Sequence, residues 1–388
     1  MSSIPNIFWF LPTGGDGRYL GRSKVARPVS NAYLRQIATT AEFLGYDGLL
    51  IPTGSGNLDP FLTAATLANV THKIKLLLAL RPSAEGNPVV FARKIATLDE
   101  ALNGRLILNV VPGAWSEELK AEGVFLSHDE RYELADEFID LWKRLTLGET
   151  VTYKGKYFHV ENGRSLFSTV SDPHPPLYFG GSSPIAHEFA AKHIDAYLTW
   201  GEPPDQVAEK IRDVKAKAKA RGREIRFGVR FQVIVRETEE EAVKAAASLI
   251  SHLDDHLIAQ AQEHQRASDS VGQSRITALH GGDRKKLWIA PNLWAGVGLV
   301  RGGAGTALVG SPQQIVDRLR EYQALGADTF VLSGYPHLEE AARFAELVFP
   351  LLGKESFVAE GNVITGGAFD VPITRANRQA ATLLKKAA

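Results

Sequence analysis

Two glycines followed by two serines, Gly180-Gly181-Ser182-Ser183, form the clearest chemical signal in the sequence. Glycines let the backbone approach a phosphate closely, while serine hydroxyls and the free N–H groups at the start of a helix bind it. A glycine turn with a serine helix cap explains the same four residues equally well. Because the lysine of a nucleotide-binding P-loop is missing here, we do not expect ATP chemistry.

A second signal is a pair of polar residues, Arg230 and Gln232, within an apolar run. They alternate with Val229, Phe231 and Val233, so both polar side chains share one face of a buried strand. A buried arginine needs an anion, which is either a ligand or the carboxylate of an internal salt bridge. The sequence leaves both possibilities open.

Arg301 lies in the glycine-rich run 296–305. It is either an ordinary solvated charge of a loop or a second cation that the loop brings to Arg230. Two arginines that converge on one site imply an anionic substrate, because guanidinium groups bind oxyanions through paired hydrogen bonds.

The composition excludes several classes of protein. The 388 residues include 44 Lys+Arg and 44 Asp+Glu, and a net charge of zero argues against nucleic-acid binding. There is no cysteine, so disulfides, zinc–thiolate sites and a cysteine nucleophile are excluded. The 11 histidines show no metal-binding spacing, and we expect no metal. Without a signal peptide or a membrane-spanning run, the expected location is the cytoplasm, with no membrane attachment.

Apolar runs alternate with helical patterns along the chain. Strands are predicted at residues 6–12, 48–52, 73–80, 105–111, 176–179, 196–200, 225–235 and 329–333, each followed by a helical pattern. Eight such units predict an α/β fold, a (β/α)8 TIM barrel, with a small hairpin added at 152–160. The active site of such a barrel lies at the C-terminal ends of the strands. Those ends hold the glycine–serine turn, Arg230 and Gln232, and also Asp16 and His337.

We expect one barrel domain over residues 1–354, with an insertion at about 262–310 between the seventh and eighth units. A long glycine-rich segment at a barrel mouth is typical of a lid. Residues 355–388 lack periodicity and are interpreted as a tail or an oligomer arm.

Long blocks of the sequence carry a family resemblance, from about residue 5 to 352. The runs FWFLPTGGDGRYLG, HDERYE, PPLYFGGSS, YLTWGEPP, NLWAGVGLVRGGAGTALVG and SGYPHLEEA resemble the FMNH2-dependent alkanesulfonate monooxygenases of the bacterial luciferase-like superfamily. The resemblance implies that a separate NAD(P)H-dependent flavin reductase supplies reduced FMN. The enzyme would then use O2 to cleave the C–S bond of an organosulfonate, releasing sulfite and an aldehyde. A homo-oligomer, either a dimer or a tetramer, is expected.

The resemblance also assigns site residues. The sulfonate and flavin pocket would be lined by Trp200, Arg230, Arg301 and Tyr335, of which Tyr335 is also a candidate proton donor. Contacts to the flavin phosphate would come from His128, Tyr132, Gly181, Ser182 and Ser183. The flavin ring would lie near Leu80, Asn109 and Gly113.

Four positions depart from the family pattern. The family has histidine at Gly14, cysteine at Asn57, threonine at Pro112 and histidine at Gln232. Because a glutamine does not titrate near neutral pH, either the histidine is not needed for a proton step or the substrate differs. We expect Gln232 and Asn57 to hydrogen-bond the substrate or the flavin.

Three alternatives remain open. One is a flavin monooxygenase of this superfamily that acts on another small molecule, such as a sulfone or a heterocycle. Another is a flavin-binding protein without turnover. A more distant one is a barrel hydrolase without flavin.

Overall fold

The computed structural model describes residues 4–21 and 27–354. The strands are β1 Asn6–Phe10, β2 Gly48–Ile51, β3 Lys75–Leu80, β4 Leu106–Val110, β5 Val151–Lys154, β6 His159–Gly163, β7 Leu177–Phe179, β8 Ala196–Trp200, β9 Arg226–Val235, β10 Trp288–Ala290, β11 Leu293–Trp294, β12 Ala307–Gly310 and β13 Ala327–Ser333. The α-helices are α1 Asn31–Leu44, α2 Pro60–Leu67, α3 Pro88–Ala101, α4 Ser116–Ala121, α5 His128–Thr146, α6 Pro184–His193, α7 Pro204–Ala220, α8 Glu239–Leu249, α9 Asp255–Arg266, α10 Val271–His280, α11 Pro312–Ala324 and α12 His337–Leu352. The expected tail at 355–388 lies outside the described residues.

Eight parallel strands close into a barrel. Their order is β13, β1, β2, β3, β4, β7, β8 and β9, and β9 pairs again with β13 to close the ring. These are the eight strands that the sequence predicted, so the (β/α)8 fold is confirmed. The predicted hairpin forms its own two-stranded sheet, β5 with β6.

The barrel strands bury both of their faces, as parallel strands in an α/β fold do. On β1, Phe8 and Phe10 point into the barrel, whereas Ile7 and Trp9 pack against the surrounding helices. The same alternation directs Asn109, Trp200, Arg230 and Gln232 to the inner face, where a residue near the C-terminal end of its strand reaches the mouth of the barrel. All four were predicted to lie at the site.

The insertion between α8 and α11 contains two helices and three short strands. Strand β12 pairs with the last four residues of β9, and β11 and β10 continue that sheet away from the barrel. These strands and α11 were not predicted from the sequence. Among the residues that the structure describes, no helix is long and apolar enough to cross a membrane.

The glycine-rich run of the insertion is packed against its surroundings. Gln262 and Gln265 of α9 donate hydrogen bonds to the carbonyl oxygen of Gly298, at 3.2 and 3.0 Å. A Cβ added at Gly298 would lie 2.8 Å from the His280 side chain, and one at Gly296 would lie 2.0 Å from the Trp294 ring. These glycines therefore permit close packing of the run against its neighbours. Whether the insertion moves as a lid stays a prediction.

Candidate active site

The turn Gly180–Ser183 joins β7 to α6 at the mouth of the barrel. A Cβ added at Gly180 would lie 2.4 Å from the carbonyl oxygen of Leu198 on β8, so only glycine fits there. Ser183 is the N-cap of α6, and its hydroxyl accepts a hydrogen bond from the Ala186 N–H at 3.3 Å. Ser183 is thus the helix cap that the sequence allowed. Ser182 is not the cap, and it lines the cleft.

This turn forms one wall of a cleft. The opposite wall is the N-terminal end of α10, where a Cβ added at Gly272 would lie 3.3 Å from the Trp200 ring and 3.4 Å from the Ser182 hydroxyl. Two helix N-termini therefore face one cleft, and both favour an anion. The residues predicted for the cofactor that line the cleft are Gly113, His128, Tyr132, Gly181, Ser182 and Ser183.

Tyr132 and His128 reach this cleft from the first turns of α5. A Cβ added at Gly181 would lie 3.1 Å from the Tyr132 hydroxyl, so that hydroxyl sits against the turn. Burial raises the pKa of Tyr132 to about 12, although the nearby Ser183 hydroxyl opposes the shift. Tyr132 is consequently a neutral hydrogen-bond donor. The two rings lie 5.1 Å apart, and His128 Nδ1 is 2.7 Å from a carboxylate oxygen of Asp129.

The two residues of β3 and β4 that were predicted to lie near the flavin ring point in different directions. Asn109 of β4 points inward, and its Oδ1 is buried without a hydrogen-bond partner among the described residues. Leu80 of β3 is fully buried in the outer layer between sheet and helices. Its side chain points away from the barrel interior, because alternation along β3 directs Ala79 inward. Whether the flavin ring lies near this part of β3 stays a prediction.

The structure brings Arg230 and Arg301 together. Arg230 pairs in register with Trp200 across β8 and β9, and its Cζ atom is 4.6 Å from the centre of the Phe10 ring. The Cζ atom of Arg301 lies 5.5 Å from the same ring. Arg301 Nη1 also donates a hydrogen bond to the hydroxyl of Tyr335. Arg230 and Arg301 thus meet over Phe10, Tyr335 lies on Arg301, and Trp200 is the neighbour of Arg230 in the sheet.

Neither arginine forms a salt bridge with a carboxylate in the part of the chain that the structure describes. Arg230 Nε is buried with no partner there. Burial and the charge of Arg301 lower the pKa of Arg230 to about 10. Burial raises the pKa of Tyr335, and the two arginines oppose that rise. An internal salt bridge, which the sequence left possible for Arg230, is not found within residues 4–21 and 27–354.

An Asp16–His337 pair lies beside the arginines. Both residues were predicted to lie at strand ends, but their pairing was not predicted. His337 Nδ1 is 2.9 Å from Asp16 Oδ1, and the backbone N–H of His337 and the Tyr33 hydroxyl donate to Asp16 Oδ2 at 2.9 and 2.5 Å. Burial would raise the pKa of Asp16, but the hydrogen bonds from His337 and Tyr33 lower it. Burial lowers the pKa of His337, and Arg301 and Arg230 lower it further, against the effect of Asp16. His337 Nε2 is buried and has no partner among the described residues.

The side chains of Gln232 and Asn57 form hydrogen bonds with other residues of the chain. The Gln232 amide accepts from the Ser333 hydroxyl at 2.7 Å and donates to the Ala304 carbonyl at 3.3 Å, which joins β9, β13 and the glycine-rich run. Asn57 Oδ1 accepts from the Thr13 hydroxyl at 3.2 Å. Whether either amide also contacts the substrate or the flavin stays a prediction.

Gly14 and Asn57 fit against each other. A Cβ added at Gly14 would lie 2.7 Å from the Gly56 carbonyl oxygen and 3.2 Å from Asn57 Oδ1. No larger residue fits at position 14 while the loop after β2 keeps this conformation. The two departures from the family pattern are therefore structurally linked.

A buried ion cluster holds the insertion to the barrel behind Trp200. Glu202 is fully buried, and its carboxylate lies 2.6 Å from Lys210 Nζ on α7 and 2.8 Å from Arg275 Nη2 on α10. This contact ties the N-terminal half of α10, which forms the wall of the cleft, to the end of β8. The carboxylate of Glu202 is thus paired with two cations, Lys210 and Arg275.

Solved structures share this fold across most of the chain. A riboflavin lyase with modified FMN and riboflavin has a TM-score of 0.76 at 22% identity, covering 92% of this chain and 94% of the other. The long-chain alkane monooxygenase LadA has a TM-score of 0.73 at 22% identity, with coverages of 93% and 94%. The coenzyme F420-dependent tetrahydromethanopterin reductase from Methanopyrus kandleri has a TM-score of 0.64 at 19% identity, with coverages of 90% and 99%.

Identities at this level show that the fold is shared. They do not indicate whether any substrate is shared. The family comparison is more specific, because it matches residues 6–329 to luciferase-like monooxygenases. That span includes the cleft at the glycine–serine turn and both arginines of the mouth. The chain belongs to the luciferase-like monooxygenase family.

Proposed function

We propose that this protein is a two-component flavin monooxygenase that uses reduced FMN and O2 to cleave the C–S bond of an organosulfonate. The observation that carries the proposal is the Arg230–Arg301 pair, two cations at the barrel mouth with no carboxylate partner among the described residues. A sulfonate offers three oxygens to two guanidinium groups, and binding it removes the cost of holding both cations together.

The residues of the cleft fit the phosphate and ring of FMN. Two helix N-termini and the Ser182 hydroxyl provide donors for a phosphate, and Tyr132 adds a neutral hydroxyl. Asn109 Oδ1 is a buried acceptor without a partner in the described chain, as a ring N–H would require. One structural neighbour contains modified FMN and another depends on F420, so the choice of FMN belongs to the proposal.

When bound, reduced FMN supplies the two electrons that activate O2. Overall, the carbon that bears the sulfonate gains one oxygen atom and becomes the aldehyde, and sulfite leaves. The second oxygen atom leaves as water, and one proton is released. A separate flavin reductase is the proposed source of the reduced flavin.

The arginines are suited to the bond-breaking step. The sulfonate carries one negative charge and sulfite carries two, so negative charge grows on the group that Arg230 and Arg301 hold. Groups that bind the product charge more strongly than the substrate charge lower the barrier. Tyr335 keeps its proton at Oη because burial raises its pKa, and its hydroxyl lies on Arg301. It is placed to hold or donate a proton beside the leaving group.

A second candidate is a monooxygenase of the same class with a different small substrate, such as a sulfone. The observation that favours it is the linked pair Gly14 and Asn57, which replaces two reactive side chains of the resembled family with uncharged ones. The anion-binding arginines would then hold a different oxygen-rich group.

Sulfite release tests the proposal directly. The purified protein is combined with a flavin reductase, NADH, FMN and alkanesulfonates from methanesulfonate to octanesulfonate, and sulfite and aldehyde are measured. Equal amounts of both products support C–S cleavage. Oxygenated product without sulfite supports the second candidate, and binding of reduced FMN without any product indicates a flavin-binding protein.

A further inference from the structure

A chain of polar side chains lies behind the glycine–serine turn and takes no part in the proposed reaction. The Tyr197 hydroxyl of β8 donates to the carbonyl oxygen of Gly181 at 2.5 Å. His187 Nε2 of α6 lies 3.3 Å from that hydroxyl, and His187 Nδ1 lies 2.6 Å from Asp213 Oδ2 of α7. The chain therefore runs from a carboxylate at the surface to the backbone of the phosphate-binding turn.

The Tyr197 contact sets the direction of a backbone donor. The carbonyl of Gly181 and the N–H of Ser182 belong to one trans peptide group, so they point in opposite directions. While the carbonyl is held on Tyr197, the Ser182 N–H points away from Tyr197. Gly181 and Ser182 both line the cleft, so this N–H becomes a donor for a phosphate there.

The protonation state of His187 decides where the single hydroxyl proton of Tyr197 is placed. Neutral His187 directs its Nδ1 proton to Asp213, so Nε2 is an acceptor that competes with Gly181 for the Tyr197 proton. Protonated His187 donates from both nitrogens, to Asp213 and to the Tyr197 oxygen. The hydroxyl proton of Tyr197 is then left to Gly181 alone.

Charges on several elements act on His187. Asp213 favours the protonated ring, whereas burial opposes it most strongly, and Lys210 and Lys217 of α7 oppose it as well. The result is a pKa of His187 below its ordinary value of 6.5. Burial raises the pKa of Tyr197, with Glu202 adding to the rise and Arg275 of α10 opposing it, so Tyr197 stays a donor.

We propose that His187, Tyr197 and Asp213 are positioning residues for the phosphate of the bound flavin, and that protonated His187 gives the tighter complex. The inference rests on the proposed function only in taking reduced FMN as the ligand. Affinity for a flavin that carries a phosphate should therefore include a contribution that is present below the pKa of His187 and lost as the pH rises through it.

The test is an anaerobic titration with reduced FMN, followed by tryptophan fluorescence between about pH 5 and pH 8, a range that spans the ordinary histidine pKa. Wild type is compared with His187→Gln and Tyr197→Phe. The matched control is His193→Gln, because His193 lies on the same helix and pairs with a different carboxylate, Asp136, at 2.8 Å. The phosphate itself titrates near pH 6, but this effect is common to all variants and cancels in their ratio.

We expect the affinity of wild type relative to His187→Gln to be about two- to tenfold larger at the acid end than at pH 8, the effect of one hydrogen bond. Tyr197→Phe should bind reduced FMN more weakly and should lose the wild-type excess at acid pH. Reduced riboflavin, which lacks the phosphate, should show none of these differences.

Three outcomes would overturn the inference. A wild-type to His187→Gln ratio that does not change with pH removes the role of protonation. An equal change in the His193→Gln control points to general damage of α6. The same pH effect with riboflavin shows that the phosphate is not involved. If reduced FMN binds to no variant at any pH, the proposed cofactor itself fails, which is a distinct result.

Discussion

Replacing Arg230 should change stability and ligand binding in opposite directions. Arg230→Met keeps most of the aliphatic stem and removes the charge. The matched control is Arg226→Met, because Arg226 lies on the same strand and the same inner face but at the other end of the barrel. There it donates a hydrogen bond to the Tyr178 hydroxyl at 2.7 Å.

The size of the stability effect follows from the electrostatics. The pKa of Arg230 falls from 12.5 to about 10, chiefly through burial. Each tenfold change in acidity corresponds to about 1.4 kcal/mol, so the charge costs the native state up to about 3 kcal/mol. The methionine variant loses the contact with the Phe10 ring, which is worth about 1 kcal/mol. We expect its free energy of unfolding to rise by about 1–3 kcal/mol.

The sign of the pH dependence is fixed by the same shift. The pKa of Arg230 is lower in the native state than in the unfolded chain, so the cost is complete below about pH 10. It fades as the pH rises through that value. The stability advantage of Arg230→Met should therefore be constant near neutral pH and should shrink in strongly alkaline solution.

Sulfonate binding should respond in the other direction. Loss of the charge-assisted hydrogen bonds to Arg230 should weaken binding by about 1.5–3 kcal/mol, and kcat/KM for sulfite release should fall at least as much. Urea unfolding with and without alkanesulfonate measures both effects. Arg226→Met should lose stability and keep sulfonate binding. An Arg230→Met variant that is less stable and still binds sulfonate would show that Arg230 is structural.

Further predictions concern the cleft, a position that departs from the family pattern, the buried ion cluster and the insertion. Ser182→Ala with Ser183→Ala should weaken reduced FMN by about 1–3 kcal/mol and leave riboflavin unchanged; equal weakening of both would exclude the phosphate site. Gln232→His should make the turnover rate depend on pH near pH 6–7, where an imidazole titrates; a rate that does not change over this range would contradict the prediction. Glu202→Gln removes the carboxylate partner of Lys210 and the nearer of the two carboxylates that pair with Arg275, and it should cost about 3–5 kcal/mol in urea unfolding; an unchanged midpoint would show that the cluster is not stabilising. Limited proteolysis within 281–305 should slow when reduced FMN and a sulfonate are added; equal cutting argues against a lid.

Most of the barrel could be predicted because its strands are long apolar runs separated by helical patterns. The strands of the insertion could not, since β10, β11 and β12 have two to four residues each and pair with an extension of β9. Helix α11 had a usable signal, the capping box of Ser311 and Gln314 before an amphipathic segment. That signal was missed.

The site was predictable where residue type alone carries the information. Arg230 alternates with apolar neighbours, so its inward direction follows from the sequence. Leu80 lies in a run that is apolar at nearly every position, and no alternation there reveals which way a side chain points. The Asp16–His337 pair joins residues 321 positions apart, one on the loop after β1 and one at the start of α12, and only closure of the barrel brings them together.

The charges at the mouth explain why the loss of titrating groups at Gly14, Asn57 and Gln232 is compatible with an anion site. Arg230 keeps its proton up to about pH 10. Burial and the two arginines hold the pKa of His337 below its ordinary value, so this histidine is neutral at pH 7. The cations that would hold a sulfonate therefore do not change near neutral pH, whereas a histidine in place of Gln232 would add a charge that is lost there. Anion binding at this mouth should then vary little between about pH 7 and 9.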